Sequence, residues 1–286
     1  MNSAQDLLQL IHLEQQDENR FQGMSKTVGS PNVFGGQVLS QAVNAASRTV
    51  HNDRVLHSLH SYFLEPGNLS IPIVYNVEVV RNGGSFSVRR VTAQQEGKII
   101  FILSASYHKE EIGHEHQIQI KSDIKQPEDL MSWTEMLGRF GDHLPSKTKG
   151  FLEIDRPVEF KPTQIVNPLN TKDLPPYTDV WVKLKGNVSQ LNRSEKQQIL
   201  TYISDYNILT AAMNRHASKA NWNNTQTASL DHSMWFFRDF DYDDWLLYSL
   251  ESPNTVGARG FAKGNLFTRD GVLIASVAQE GLMRPK

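Results

Sequence analysis

The sequence predicts an α+β fold made of two copies of one unit, a helix laid against an antiparallel sheet, and three observations carry that prediction. Stretches of small and apolar helix formers are followed by strand-like segments, this order occurs twice, and local similarities tie the two occurrences together. His60-Ser61-Tyr62-Phe63-Leu64 resembles His232-Ser233-Met234-Trp235-Phe236, and the turn at Glu96-Gly97-Lys98 matches Asp270-Gly271-Val272 at a near-constant offset. Matched order at matched spacing favours an internal duplication over a chance likeness of short strands.

Leu7, Leu8, Leu10, Ile11 and Leu13 recur at helical spacing behind Ser3 and Asp6, a pair suited to a capping box. Pro31 and Gly35-Gly36 then precede Val38, Leu39, Ala42, Val43, Ala45 and Ala46, which predict a buried helix. Strands follow at His57 to Leu64, at Ile71 to Arg81, and in a hairpin from Phe86 to Tyr107, where β-branched and aromatic residues concentrate.

Residues 109 to 150 turn polar, with Lys109-Glu110-Glu111, Pro127, Gly138, Gly141, Pro145 and Ser146-Lys147-Thr148-Lys149-Gly150. This stretch predicts a connection, partly helical from Met131 to Phe140. The units are accordingly 1–110 and 151–286, with 111–150 as linker. The second unit repeats the order: strands near Val158-Glu159-Phe160 and Val180 to Leu184, a helix from about Ser194 capped by Ser194 and Gln197, then three strands.

Composition narrows the function. The 29 basic and 31 acidic residues give a net charge of -2, which offers no global attraction to nucleic acid or anionic membrane. With no cysteine there is no thiolate catalysis, disulfide or thiolate metal site, and a reducing compartment suits the chain. No apolar run approaches the roughly 20 residues that span a bilayer, and the N-terminus lacks a basic leader. A cytoplasmic protein is expected. No Gly-x-Ser-x-Gly elbow, phosphate-binding loop or Rossmann fingerprint occurs. His114-Glu115-His116 puts two imidazoles at i and i+2 without a third ligand, so a solvated linker is expected there and no metal site.

Four segments carry a resemblance. Val33-Phe34-Gly35-Gly36-Gln37, Leu56 through Leu64, Leu230-Asp231-His232-Ser233-Met234-Trp235-Phe236 and Gln279-Glu280-Gly281-Leu282-Met283-Arg284 strongly resemble the bacterial acyl-coenzyme A thioesterase II family, in order and spacing over essentially the whole chain. The resemblance implies a double hotdog fold, in which each long sheet wraps a central helix and the two sheets join edge to edge. It also implies a homo-oligomer, dimer or tetramer, that hydrolyses medium- to long-chain acyl-CoA without a cofactor. The ending Met283-Arg284-Pro285-Lys286 differs from a peroxisomal Ser-Lys-Leu address, which fits a cytoplasmic enzyme of fatty acid metabolism.

Asp205 sits in the apolar stretch Ile199 to Leu209, where a buried carboxylate must be hydrogen-bonded or protonated. From the residues alone it is either a solvent-facing aspartate or a functional one; the resemblance implies the catalytic aspartate. Ser229 stands where the family often has threonine and keeps the hydroxyl. It and Gln279, otherwise an ordinary polar residue on an edge strand, are implied to hold the attacking water. His57 is a secondary catalytic candidate, again by resemblance, and imidazole is a ready base. Gly35 and Gly36 open a helix whose amides could bind an oxyanion, or simply serve the turn. His60 and His232, equivalent in the two halves, are read as structural. The first half has Gln41, Ala42 and Asn44 on its helix and Ser104 and Ser106 on its last strand where the trio's counterparts would fall, so one site per chain is expected.

Two rival functions remain. A hotdog enoyl-CoA hydratase would need a histidine near Asp205, and a non-catalytic acyl-CoA-binding module would not need the trio.

Overall fold

The computed structural model describes residues 1–144, 146–164 and 172–286; Pro145, assigned above to the connection, lies outside them. The first unit contains α1 (Ala4–Ile11), the short pair β1 (Glu14–Asp17) and β2 (Arg20–Gly23), α2 (Gly35–Ser47), then β3 (Val55–Phe63), β4 (Ile73–Asn82), β5 (Phe86–Gln95) and β6 (Lys98–His108). The Ser3 hydroxyl accepts the Asp6 N–H at the start of α1, while the Asp6 carboxylate accepts the N–H of Asn2.

The connection carries α3 (Trp133–Phe140) and α4 (Ser146–Leu152). It is no free tether. Ile120, Ile124 and Leu130 pack on Trp181, Trp245, Leu247, Phe267 and Leu273, and Lys125 accepts the Trp181 indole N–H at 2.8 Å. Its apolar residues are too sparse to register as a pattern, yet they strap the segment onto the strands of the second unit.

The second unit holds β7 (Val158–Pro162), β8 (Tyr177–Leu184), α5 (Arg193–Ser204), α6 (Thr210–Asn214), β9 (Thr225–Ser229), β10 (Asp231–Phe236), β11 (Leu246–Val256), β12 (Arg259–Thr268) and β13 (Leu273–Pro285). Two sequence expectations are corrected here. The capping box of α5 is Asn192 with Glu195, because Ser194 accepts the Gln198 amide instead. Five strand pieces follow the helix instead of three: the last hairpin supplies two, and the first strand breaks at Leu230.

All strands join one antiparallel sheet in the order β1-β2-β4-β5-β6-β3-β10-β13-β12-β11-β8-β7, with β9 on β13. The order reads as the same unit from either end, with a pseudo-twofold at the β3–β10 seam. There His60 pairs with Ser233 and Ser61 with His232, so the two matched histidines exchange partners across the axis. The duplication inferred from short similarities is thereby written into the register. Helix α2 packs under β2, β4, β5 and β6, and against α5; α6 packs under β8, β11 and β12. Ala42, Ala45, Ala46, Ile199, Leu200 and Ile203 are fully or almost fully buried between these layers. Among the described residues no helix is long and apolar enough to cross a membrane.

Candidate active site

Asp205 is the C-cap of α5, one residue past its end, and not in the helix interior as the apolar stretch suggested. The helix stops because Asn207 takes a left-handed backbone, φ 65°. A carboxylate at the C-terminus of its own helix faces the negative end of that dipole. The opposing helix compensates: the N-terminus of α2 points at Asp205, and the Gly36 N–H donates to Oδ2 at 2.9 Å.

That approach requires glycine. A Cβ at Gly36 would lie 2.4 Å from the Tyr202 carbonyl oxygen, and one at Gly35 would lie 2.7 Å from Asp205 Oδ2. The two glycines thus let helix start meet helix end across the units. Gly36, for which the sequence left an oxyanion role or a plain turn open, gives its N–H to the carboxylate.

Ser229 donates to Asp205 Oδ1 at 3.1 Å, and the Gln279 amide donates to Ser229 Oγ at 3.0 Å. The trio named from sequence is therefore gathered into one chain of hydrogen bonds. Gln279 is not on an edge strand: β13 lies between β10 and β12, and the side chain faces inward with 1% exposure. Ser229 reaches it from β9, where it pairs with Gly281.

Asp205 lies deep in the protein yet keeps part of its surface open, which suits a base that must touch water. Burial pushes its carboxyl up to about 6, against the hydrogen bonds from Ser229, Gln279 and Gly36, which pull it down. The nearby phenols of Tyr202 and Tyr206 meet at 3.2 Å, and Phe34 packs on both rings.

His57 is elsewhere. Its Nε2 pairs with Ser106 Oγ at 2.8 Å, and its ring lies edge-on to Phe86 and His108. Phe63, which flanks Gly35, is six residues further along β3, roughly 20 Å at about 3.3 Å per residue. At the end of α2 that corresponds to Asp205 stands Arg48, and Asn44 is engaged with Gln198 of α5, so the first unit offers no second carboxylate there. Among the described residues no three histidines or carboxylates gather as a metal would need.

Sequence reasoning missed how His232 joins the site. Its Nδ1 meets Gln279 Oε1 at 2.5 Å and its Nε2 meets Ser204 Oγ at 2.9 Å. Ser229 and His232 are three positions apart, an odd offset that places them on opposite faces of a regular strand. The register shift at Leu230 turns both inward, and no sequence signal marks it. Asp231 holds that bend by accepting the Glu280 N–H at 2.8 Å.

Comparison with known proteins gives a consistent picture. Residues 148–282 match the family model for acyl-CoA thioesterase, and residues 24–108 match that for the acyl-CoA thioesterase N-terminal domain. Acyl-CoA thioesterase 2 of Haemophilus influenzae is 38% identical over 98% of this chain and 97% of its own length. Acyl-coenzyme A thioesterase 8 of Mus musculus is 38% identical over 97% of this chain and 88% of its own. The crystal structure of acyl-CoA thioesterase II TesB2 from Mycobacterium marinum superposes with a TM-score of 0.78 at 32% identity, covering 98% of each chain. A hot dog fold protein from Alicyclobacillus acidocaldarius, 15% identical, shares the fold with a TM-score of 0.76 over 98% of each chain. The double hotdog fold expected from the resemblance is the fold of this chain.

Proposed function

The chain belongs to the acyl-CoA thioesterase family, and on that footing we propose that it hydrolyses medium- to long-chain acyl-CoA in the cytoplasm, as a homo-oligomer, with Asp205 activating the attacking water. The observation that carries the proposal is the chain Gln279 to Ser229 to Asp205, closed on its other side by the Gly36 N–H. It orients one partly open carboxylate at the junction of two units and offsets part of the burial that favours its protonation.

In this reading water sits against Asp205 and loses a proton to the carboxylate as its oxygen adds to the thioester carbonyl. A base with its carboxyl near 6 is ionised at neutral pH yet basic enough to take that proton. The tetrahedral intermediate then collapses, the C–S bond breaks, and CoA thiolate leaves as the fatty acid forms. Ser229 and Gln279 orient the carboxylate and the water together.

The hydratase alternative asks for an imidazole at the substrate. His232 is fully buried and separated from Asp205 by Ser229 and Gln279, so it does not supply one. The proposal is tested by following thiol release from palmitoyl-CoA and crotonyl-CoA with wild type and Asp205→Asn. Thiol release lost in the variant, with the crotonyl double bond untouched in both, supports it. Hydration without thiol release sinks it in favour of the hydratase, and binding with neither reaction in favour of the non-catalytic module.

A further inference from the structure

We propose that His232 is a positioning residue: held with its ring proton on Nδ1, it fixes the Gln279 amide so that the Ser229 hydroxyl is directed at the Asp205 carboxylate. The inference rests on Asp205 being the base.

The argument counts protons. An ionised Asp205 has none to give, so Ser229 Oγ, 3.1 Å away, donates to it. Ser229 Oγ can then only accept from Gln279, which puts the amide NH2 at Ser229 and the amide oxygen at His232. An oxygen there needs a donor, which is Nδ1–H. Burial holds the imidazole down to about 4, so the neutral ring carries one proton and Nε2 is bare. The Ser204 hydroxyl, 2.9 Å away, satisfies it.

Reversing the ring reverses every link. With the proton on Nε2, a bare Nδ1 draws the amide NH2 to itself, and the amide oxygen takes the Ser229 proton. The lone pairs of Ser229 then face Asp205 Oδ1, an arrangement that only a protonated Asp205 can satisfy. The Ser204 hydroxyl lies within reach of both Nε2, at 2.9 Å, and the Thr201 carbonyl oxygen, at 2.8 Å, so its one proton turns to Nε2 in the first tautomer and to Thr201 in the second. The histidine tautomer therefore selects between a carboxylate ready to accept a proton and one that already holds it.

Among the described residues no other titratable group competes for this choice. The phenols of Tyr202, Tyr206 and Tyr248 face Asp205 and are pushed up, hence uncharged, and Arg156 lies beyond them against Tyr206. The described partners of His232 are Ser61, which donates to its carbonyl, Ser204 and Gln279, all uncharged.

The test compares His232→Ala with His232→Asn, whose amide nitrogen can stand near the place of Nδ1, by measuring kcat and KM against pH on the full chain. His232→Ala is expected to move the acidic limb of kcat up by about one pH unit, which lowers kcat roughly twofold at pH 7 and nearly tenfold at pH 5, because the carboxylate loses an enforced donor. KM should stay within about twofold, and His232→Asn should restore the limb. An unmoved limb in His232→Ala, or no rescue by His232→Asn, overturns the proposal and leaves His232 a packing residue. Asp205→Asn run alongside separates the two readings: if it keeps wild-type kcat, the base assignment itself fails. Should His232→Ala not fold, ring 15N shifts of the wild-type protein at pH 8 decide the matter, a protonated Nδ1 supporting the proposal and a protonated Nε2 overturning it.

Discussion

The carboxylate of Asp205, which ends the central helix of the second unit, accepts the backbone N–H of Gly36, which begins the central helix of the first, at 2.9 Å. Fusion of the two units is thus part of the site, since the residue proposed as base is held by a donor from the other half.

Gly36→Ala tests that contact. The added methyl would press on the Tyr202 carbonyl at 2.4 Å, backbone that cannot swing aside. A loss of about 1–3 kcal/mol in stability is expected, together with a fall in kcat as the helix start moves off the carboxylate. Denaturant melts and thioesterase assays read the two effects separately; a stable, fully active variant would show the contact to be dispensable.

Asp205→Asn is expected to lower kcat by about 10²- to 10⁴-fold, the range for removal of a general base, and to raise stability above pH 6. The sign follows from the raised carboxyl: the folded protein holds the Asp205 proton more tightly than the unfolded chain does. Stability from this group is therefore full below the ordinary value of 3.8 and lost as pH rises toward about 6. At two pH units the penalty is on the order of 2–3 kcal/mol. Thermal melts of both proteins from pH 4 to pH 8 check it, the gap opening between the ordinary carboxyl value and about 6 and staying constant above that.

Activity should fall with decreasing pH through an apparent pKa near 6, as Asp205 takes up its proton. Ser229→Ala removes a donor to the carboxylate and should shift that limb to higher pH, whereas Ser229→Thr, which keeps the hydroxyl, should leave it in place. A pH–kcat profile for the three proteins is sufficient; coincident limbs for wild type and Ser229→Ala would contradict the hydrogen bond's role.

His57→Ala should reduce kcat less than about fivefold, because the ring lies roughly 20 Å along β3 from the site and pairs with Ser106. Steady-state kinetics at saturating palmitoyl-CoA measure this. A loss comparable to that of Asp205→Asn would show that His57 reaches the substrate by a route the Asp205 cluster does not use.

Much of this molecule was determined by the chain read alone. Alternation and β-branching marked the strands, small apolar residues marked α2, and the likeness of residues 60–64 to 232–236 exposed the duplication. Those signals are local, each set by which face of one element meets the core. Asp205 stood out as a charge in an apolar stretch, but the role proposed for it, and those proposed for Ser229 and Gln279, came from family resemblance.

Tertiary structure decided what depends on two elements meeting. The Gly35-Gly36 pair permits an oxyanion site or a plain turn equally well in sequence; only the arrival of α5 makes Gly36 the partner of Asp205. The connection looked polar because Ile120, Ile124 and Leu130 are spread out, and their burial depends on the Trp181 face they cover. His232 entered the site through a single shift of register at Leu230, and a bulge leaves no periodic trace because it is one residue out of step. Periodicity records how an element faces its core, while hydrogen-bond partners are chosen by which elements the fold brings together.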